Sequence, residues 1–308
     1  MVSALPSPTL ASLLTAWAPQ PIAIVMVVGA AAWYLSAVRR LPEAWPRWHS
    51  AAFAIGLLLL GWTTNGVLER YVDSLFWVWT TQYLALLLVV PVVIMAGQPI
   101  ELARRVHGER SIRFVSSGLG RVFANPLVGP ALIPVLSAVL FFGPLPGWAI
   151  TTRPLAWVLE IVVVALGALI VLPLVGVSNQ AGSLAVALAL VIGVFELLLD
   201  AVPGIVLRLS THPVTTFFDH RAVHSWSPTA LHDQQLAGAT LWVVAELIDL
   251  PFLLLIFRRW VRADARDAQE IDTVLDAERF ARGVGDDELA PDAPWWLTDP
   301  AMRQRFER

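Results

Sequence analysis

The chain contains no cysteine and no lysine: all 21 basic residues among its 308 are arginine. Without cysteine there is no disulfide, no thiolate metal site, no covalent c-type haem attachment and no redox dithiol, so any metal must rest on His, carboxylate or Met. Without lysine there is no retinal Schiff base, the obvious alternative for a seven-helix count, and no lysine for a phosphate-binding loop. Charge is scarce as well. Only 15% of residues are charged, 57% are hydrophobic and the mean hydropathy is +0.67, an excess too large for a soluble core. Residues 1–257 carry nearly all of it, in apolar runs of about 18 to 25 residues, the length one helix needs to cross the hydrocarbon of a bilayer. These features predict an all-α, polytopic integral membrane protein.

Hydropathy places seven spans at 20–38, 50–68, 75–97, 126–145, 155–177, 184–209 and 235–257, a seven-transmembrane-helix bundle. The arginines orient it. One set of loops holds Arg70, Arg153, Arg208 and Arg221. The opposite set holds Arg39, Arg40, Arg47, Arg104, Arg105, Arg110, Arg113 and Arg121, and nine more from Arg258 onward, 17 against 4. By the positive-inside rule the N-terminus faces outward and the C-terminus the cytoplasm. The expected organisation is an external N-terminal segment at 1–19, a transmembrane domain at 20–257 and a charged cytoplasmic tail at 258–308. The first nineteen residues lack a basic n-region and an A-x-A site, so no removable signal peptide is expected. No fixed-period repeat is present.

The tail holds nine Arg and twelve Asp or Glu. A weak amphipathic stripe of Val261, Ala265, Ala268, Ile271, Leu275 and Ala281 gives way to a Gly-Asp-Pro linker, then Trp295-Trp296 and Phe306. Those aromatics suit either a tail lying at the lipid interface or a short docking peptide.

Four of the six histidines, His212, His220, His224 and His232, fall in the single outward loop between spans six and seven, beside Asp219 and Asp233; His49 and His107 lie on the cytoplasmic side. Such a set is chemically adequate for copper(II) or zinc, and equally ordinary for a polar loop. No His lies in a predicted span, which argues against a buried haem with two axial His. Carboxylates in lipid cost roughly 2.5 to 3.5 kcal/mol each on insertion scales and ask for a reason. Glu196 and Asp200 share a face of span six; Glu246 and Asp249 share one in span seven. Counting helix rise from opposite membrane faces sets Glu196 and Glu246 near the same depth. They suit a proton or cation path, a transient metal site, or acids hydrogen-bonded to backbone and to one another within the bundle. Gln82 and Tyr83 in span three, and Thr63, Thr64 and Asn65 ending span two, are the kind of side chain that bridges membrane helices. The many Trp cluster near span ends, as an interfacial belt requires.

The chain resembles the CtaG-type cytochrome c oxidase assembly factor family, seven-helix bacterial membrane proteins linked to maturation of copper-containing terminal oxidases. The similarity runs from about residue 33 to 260. It rests on Trp33-Tyr34-Leu35 with Arg39-Arg40-Leu41, on Leu68-Glu69-Arg70-Tyr71 and Leu75-Phe76, and on Pro91 with Gly97-Gln98-Pro99. Most specific are Ser227-Pro228 and Asp233-Gln234-Gln235-Leu236-Ala237-Gly238 with Trp242. The family's third helix usually carries His-x-x-x-His, where this chain has Trp79 and Tyr83 and keeps only Gln82; its fifth usually carries further His, where Trp157 and its neighbour Glu160 stand. An imidazole copper site there is therefore lost, since neither Trp nor Tyr is an equal ligand. The resemblance implies a multi-pass protein of the bacterial cytoplasmic membrane whose partners are the bilayer and cytochrome c oxidase subunits, with copper as the one possible cofactor. The four-His loop is then a relocated copper site, or the role is scaffolding. A proton-coupled transporter is the alternative. No Ser-His, HExxH or paired-Asp protease motif points to an enzyme, and nothing points to nucleic acid. Asp233, at the mouth of span seven, is expected to N-cap that helix.

Overall fold

The computed structural model describes residues 5–108, 128–175 and 183–281, and every regular element among them is helical. After a single turn, α1 (Ser12–Thr15), come α2 (Pro21–Arg40), α3 (Arg47–Asn65), α4 (Val67–Tyr71), α5 (Phe76–Leu84), a π-helical turn at Ala85–Val89, α6 (Val90–Ala96) and α7 (Pro99–His107). Then follow α8 (Val128–Phe142), α9 (Leu145–Thr151), α10 (Arg153–Val175), α11 (Ser183–Leu209), the short α12 (Phe217–His220) and α13 (Ala230–Ala281). The chain divides into two compact units, Met1–Asn179 with Ala189–Leu254, and Gln180–Leu188 with Leu255–Arg308. The site described below lies wholly in the first. In the second, Phe257 and Trp260 pack ring to ring at 5.8 Å.

Among the described residues four helical stretches are long and apolar enough to cross a membrane, Pro21–Arg40, Arg47–Tyr71, Phe76–Ala96 and Arg153–Val171. Leu132–Phe142 and Leu145–Thr151 make a fifth if the pair, bent by 56°, is one span. The bend falls at Gly143 and Pro144, where a missing side chain and a fixed φ end one helix and start the next. The sixth and seventh stretches read from hydropathy fall on α11 and α13, both helical, several of whose side chains lie outside the described residues. Arg110, Arg113 and Arg121, and the tail aromatics Trp295, Trp296 and Phe306, also lie outside them.

The third span is not a regular α-helix. Pro91 has no N–H to offer the carbonyl of Leu87, and the turn before it widens to the π form, with Val90 N–H donating to Ala85 O. α10 packs into that widened turn at Gly167: a Cβ there would overlap Leu87 O and come within 2.6 Å of Pro91 Cγ. α3 and α6 meet as closely at Gly56, where a Cβ would stand 2.9 Å from Ile94 N.

At the end carrying Gly97-Gln98-Pro99, Gln98 takes the left-handed conformation (φ 53°) and turns the chain into α7. Tyr34 Oη donates to Gly97 O at 2.8 Å, accepts from Trp45 Nε1 at 2.9 Å, and the Tyr34 ring stacks on Phe53 at 4.0 Å. His49 Nδ1 lies 3.0 Å from Ala96 O. Two sequence motifs 63 residues apart thus close one end of the bundle. Just beyond, Glu101 pairs with Arg104 and Arg105 at 2.7 Å each, and the two guanidinium groups hold its carboxyl down at about 2.

Candidate functional site

Two polar assemblies occupy the opposite end. The first is built on Asp233, 0% exposed. Its Oδ2 accepts from Phe76 N–H and its Oδ1 from Trp77 N–H, both at 3.0 Å, and Arg221 Nη1 stands 2.9 Å from Oδ2. The Arg221 guanidinium also donates to Pro228 O at 3.0 Å and lies over the Phe218 ring. The next residue, Gln234, accepts from Val214 N–H at 2.8 Å and donates to His212 O at 3.1 Å and Leu207 O at 3.4 Å. Gly238 lets α13 cross α11, since a Cβ on it would come 2.6 Å from both Arg208 N and Gly204 O. Asp-Gln-x-x-x-Gly therefore ties α13 to the start of α5, the loop before α12 and the end of α11.

This corrects the capping expectation. Asp233 lies inside the first turn of α13, and its carboxylate caps α5 instead. The residue at α5's N-cap is Leu75, which has no side-chain acceptor, so the orphan amides of that buried helix start take theirs from a distant acid. The start of α13 is served by Thr229, whose Oγ1 accepts from His232 N–H at 3.3 Å.

The second assembly centres on Glu69, 3% exposed, at the end of the second span. Its Oε1 accepts from Gln20 Nε2 at 2.6 Å and pairs with Arg153 Nη1 at 3.0 Å; its Oε2 accepts from Gln82 Nε2 at 2.8 Å. Gln82 also donates to Thr63 O at 3.2 Å, Gln20 N–H donates to Asn65 Oδ1 at 2.6 Å, and Trp157 Nε1 donates to Gln20 Oε1 at 2.9 Å. Arg153 reaches Asp73 as well, at 3.6 Å; burial pushes the Asp73 carboxyl up and Arg153 draws it part of the way back. Glu160, two helical turns along α10 from Arg153 and about 10 Å deeper, is 7% exposed and its carboxyl hydrogen-bonds to that of Glu69. It lines a small cleft with Ala23, Met26, Leu60, Thr64, Ile161 and Val164. Trp79 and Tyr83 stack at 4.2 Å on the inner face of α5, both fully buried, with Trp79 Nε1 donating to Leu140 O at 3.3 Å.

Of the residues singled out from sequence, Gln82 is in this network and Asp233, Gln234 and Gly238 are in the first; Gln235 is half-buried on α13. Glu246 accepts from Trp242 Nε1 at 2.9 Å and Asp200 is buried. The side chains of Glu196 and Asp249 lie outside the described residues. The loop histidines are dispersed. His224 faces Ser74 Oγ at 3.3 Å and stacks on Trp226, while His212, His220, His232 and Asp219 are exposed. Among the described residues no three His, Asp or Glu side chains converge on a point that could hold a metal ion. As placed, the described donors do not converge on a copper site. Gln20, Asp73, Arg153 and Glu160 were not legible as a cluster. Arg153 read as an ordinary loop charge, and only the placement of Glu69 in a family string and of Glu160 beside a family His position hinted at a role.

Apolar helices closed at one end by Tyr34 and at the other by the Asp233–Arg221 and Glu69–Arg153 pairs give an all-helical arrangement with, among the described residues, four or five stretches able to cross a membrane. The chain belongs to the cytochrome c oxidase caa3 assembly factor family (Caa3_CtaG), which it matches over residues 32–263. It is 24% identical over 302 residues to uncharacterized proteins of Mycobacterium bovis and Mycobacterium tuberculosis, a stretch that is 92% of this chain and 44% of each relative. An uncharacterized protein of Mycobacterium leprae is 22% identical over 266 residues, 83% of this chain and 40% of that one. The chain thus spans less than half the length of these curated relatives. No solved structure matches.

Proposed function

We propose that this chain assists assembly of a caa3-type cytochrome c oxidase, as a seven-span, non-enzymatic protein of a bacterial cytoplasmic membrane whose partners are oxidase subunits. The family match over residues 32–263 carries the proposal. The family string Asp233 to Gly238 supports a holding role: Asp233 and Gln234 tie the 210–229 loop to α13 and the start of α5, and Gly238 seats α13 against α11. A loop fixed by Arg221, Asp233 and Gln234 is a rigid surface against which a nascent subunit can be held, because its ordering entropy is lost on folding and not on binding.

The role is holding rather than metal carrying. By the resemblance described above, Trp79 and Tyr83 fall at the family's His-x-x-x-His positions, and of the loop histidines His224 faces Ser74 while His212, His220 and His232 are exposed. With the N-terminus outside, this loop meets the outward faces of oxidase subunits.

The experiment is a deletion strain. It should lose caa3-type oxidase activity and its haem absorbance in membranes, with solute uptake unchanged and activity restored by the full chain. Normal oxidase in the deletion strain, or an uptake defect with normal oxidase, overturns the proposal; the latter outcome favours a transporter.

A further inference from the structure

Among the described residues, three carboxyl groups, Glu69 at the end of the second span, Asp73 just beyond it and Glu160 on α10, lie around one cation, Arg153, with the phenol of Tyr83 on α5 beside them. Arg153 is committed to Glu69 and Asp73, at 3.0 and 3.6 Å. Glu69 is held further by the amides of Gln20 and Gln82. Glu160 lies against Glu69 with its carboxyl hydrogen-bonded to it. Two ionised carboxylates are acceptors only, so a hydrogen bond between them requires a proton.

Glu160 also borders the cleft between α2, α3 and α10, whose other lining is apolar apart from Thr64. The polar assembly has one acceptor to spare: Oε1 of Gln82, buried, has no donor among the described residues. Were Glu69 to carry the proton, the Gln82 amide turned over would present that oxygen to its O–H, so the network accommodates either carboxyl as the proton's holder.

We propose that Glu69 and Glu160 form a proton-binding site, one exchangeable proton shared between the two carboxyls and gained or lost at Glu160 through the cleft, while Arg153, Gln20 and Gln82 keep Glu69 in place. Release of the proton sets two negative charges side by side with one cation already shared with Asp73, so the charge state of this end of the bundle follows the pH on the side the cleft opens to. The site does not depend on the assembly role.

The test uses the full chain in liposomes with dicyclohexylcarbodiimide, an apolar reagent to whose C=N bond protonated carboxyls reachable from lipid add, the O-acylisourea rearranging to a stable N-acylurea, and maps that adduct by mass spectrometry. The expected result is a single adduct on Glu160 whose rate falls about tenfold per pH unit above the titration of the pair, as the protonated fraction does. Glu160→Gln should carry no adduct. Glu69→Gln removes the like charge but keeps the shape, and should move the rate profile to lower pH. Infrared spectra should show a protonated-carboxyl stretch in the wild type that Glu160→Gln lacks. No adduct on Glu160 at any pH, a rate independent of pH, a profile unmoved in Glu69→Gln, or no such infrared band each overturns the proposal. If either variant fails to accumulate, the wild-type adduct position, its pH profile and its infrared band decide alone.

Discussion

Asp233 accepts the backbone N–H of Phe76 at 3.0 Å across 157 residues of chain. The same carboxylate takes the N–H of Trp77 and faces Arg221, so one acid closes a helix start, a loop and the first turn of α13 together. The pair with Arg221 is buried on both sides, 7% and 0% exposed. Removing one partner from such a pair leaves the other charged and unsolvated, which is more costly than the net worth of the pair.

Asp233→Ala should therefore cost about 3 to 5 kcal/mol, since it strips a buried pair and two helix-start amides at once. Asp233→Asn keeps an acceptor for the α5 amides and should cost clearly less. Thermal unfolding in detergent and the amount of protein in membranes measure both. Wild-type behaviour of Asp233→Ala would show that the cap and the pair contribute nothing.

Gly238→Leu should prevent α13 from seating on α11, because even its Cβ meets Arg208 N and Gly204 O at 2.6 Å, backbone atoms that cannot swing aside. Gly238→Ala should cost about 1 to 3 kcal/mol, the range for overpacking. Both are read from unfolding midpoints and from protease resistance of the 210–229 loop. An Ala variant as stable as wild type would mean that the crossing is looser than described.

Tyr34→Phe should cost about 1 to 3 kcal/mol, leaving Gly97 O and Trp45 Nε1 without their shared partner. The effect should be local to the Gly97-Gln98-Pro99 end. Hydrogen exchange should rise at Gly97 and Gln98 and stay unchanged at Phe76 and Trp77; exchange rising equally at both ends would contradict two independent closures.

Glu101 supplies a pH test. Its carboxyl is depressed in the folded chain by Arg104 and Arg105 to about 2, below the ordinary Glu value of about 4.3. A depressed acid contributes stability above its unfolded value and loses it as pH falls through the folded one. Between about 4.3 and 2, wild type should therefore lose stability relative to Glu101→Gln, by a small amount because the pair is solvent-screened. Carboxyl chemical shifts of Glu101 give the midpoint directly, and a midpoint in the ordinary Glu range would refute the assignment.

Changing His212, His220, His224 and His232 together to Ala should leave the copper content of the purified chain as it is in wild type, because no three of these donors share a point with Asp219 or one another. Metal analysis after equilibration with copper(II) at neutral pH checks this. A stoichiometric loss of copper in the variant would restore the loop as a metal site.

Composition alone, 57% hydrophobic against 15% charged, determined that the chain carries apolar helices able to cross a membrane, and the lack of cysteine and lysine excluded thiol, retinal and phosphate-loop chemistry. The Asp-Gln-Gln string and the Gly97-Gln98-Pro99 turn were legible as motifs for the same reason: they are local in sequence. What they do was not local. Hydropathy and helix periodicity carry the depth and face of a residue but not the rotation of one span against another, which close packing at Gly56, Gly167 and Gly238 sets. Asp233 thus read as the cap of its own helix, and only the packed bundle put Phe76 and Trp77 within its reach. Glu69 read as part of a local string, Arg153 as one of the loop arginines and Glu160 as the neighbour of Trp157. They became one network because a charge surrounded by lipid and apolar side chains finds its partners on whichever helices packing brings beside it, whatever their distance along the chain.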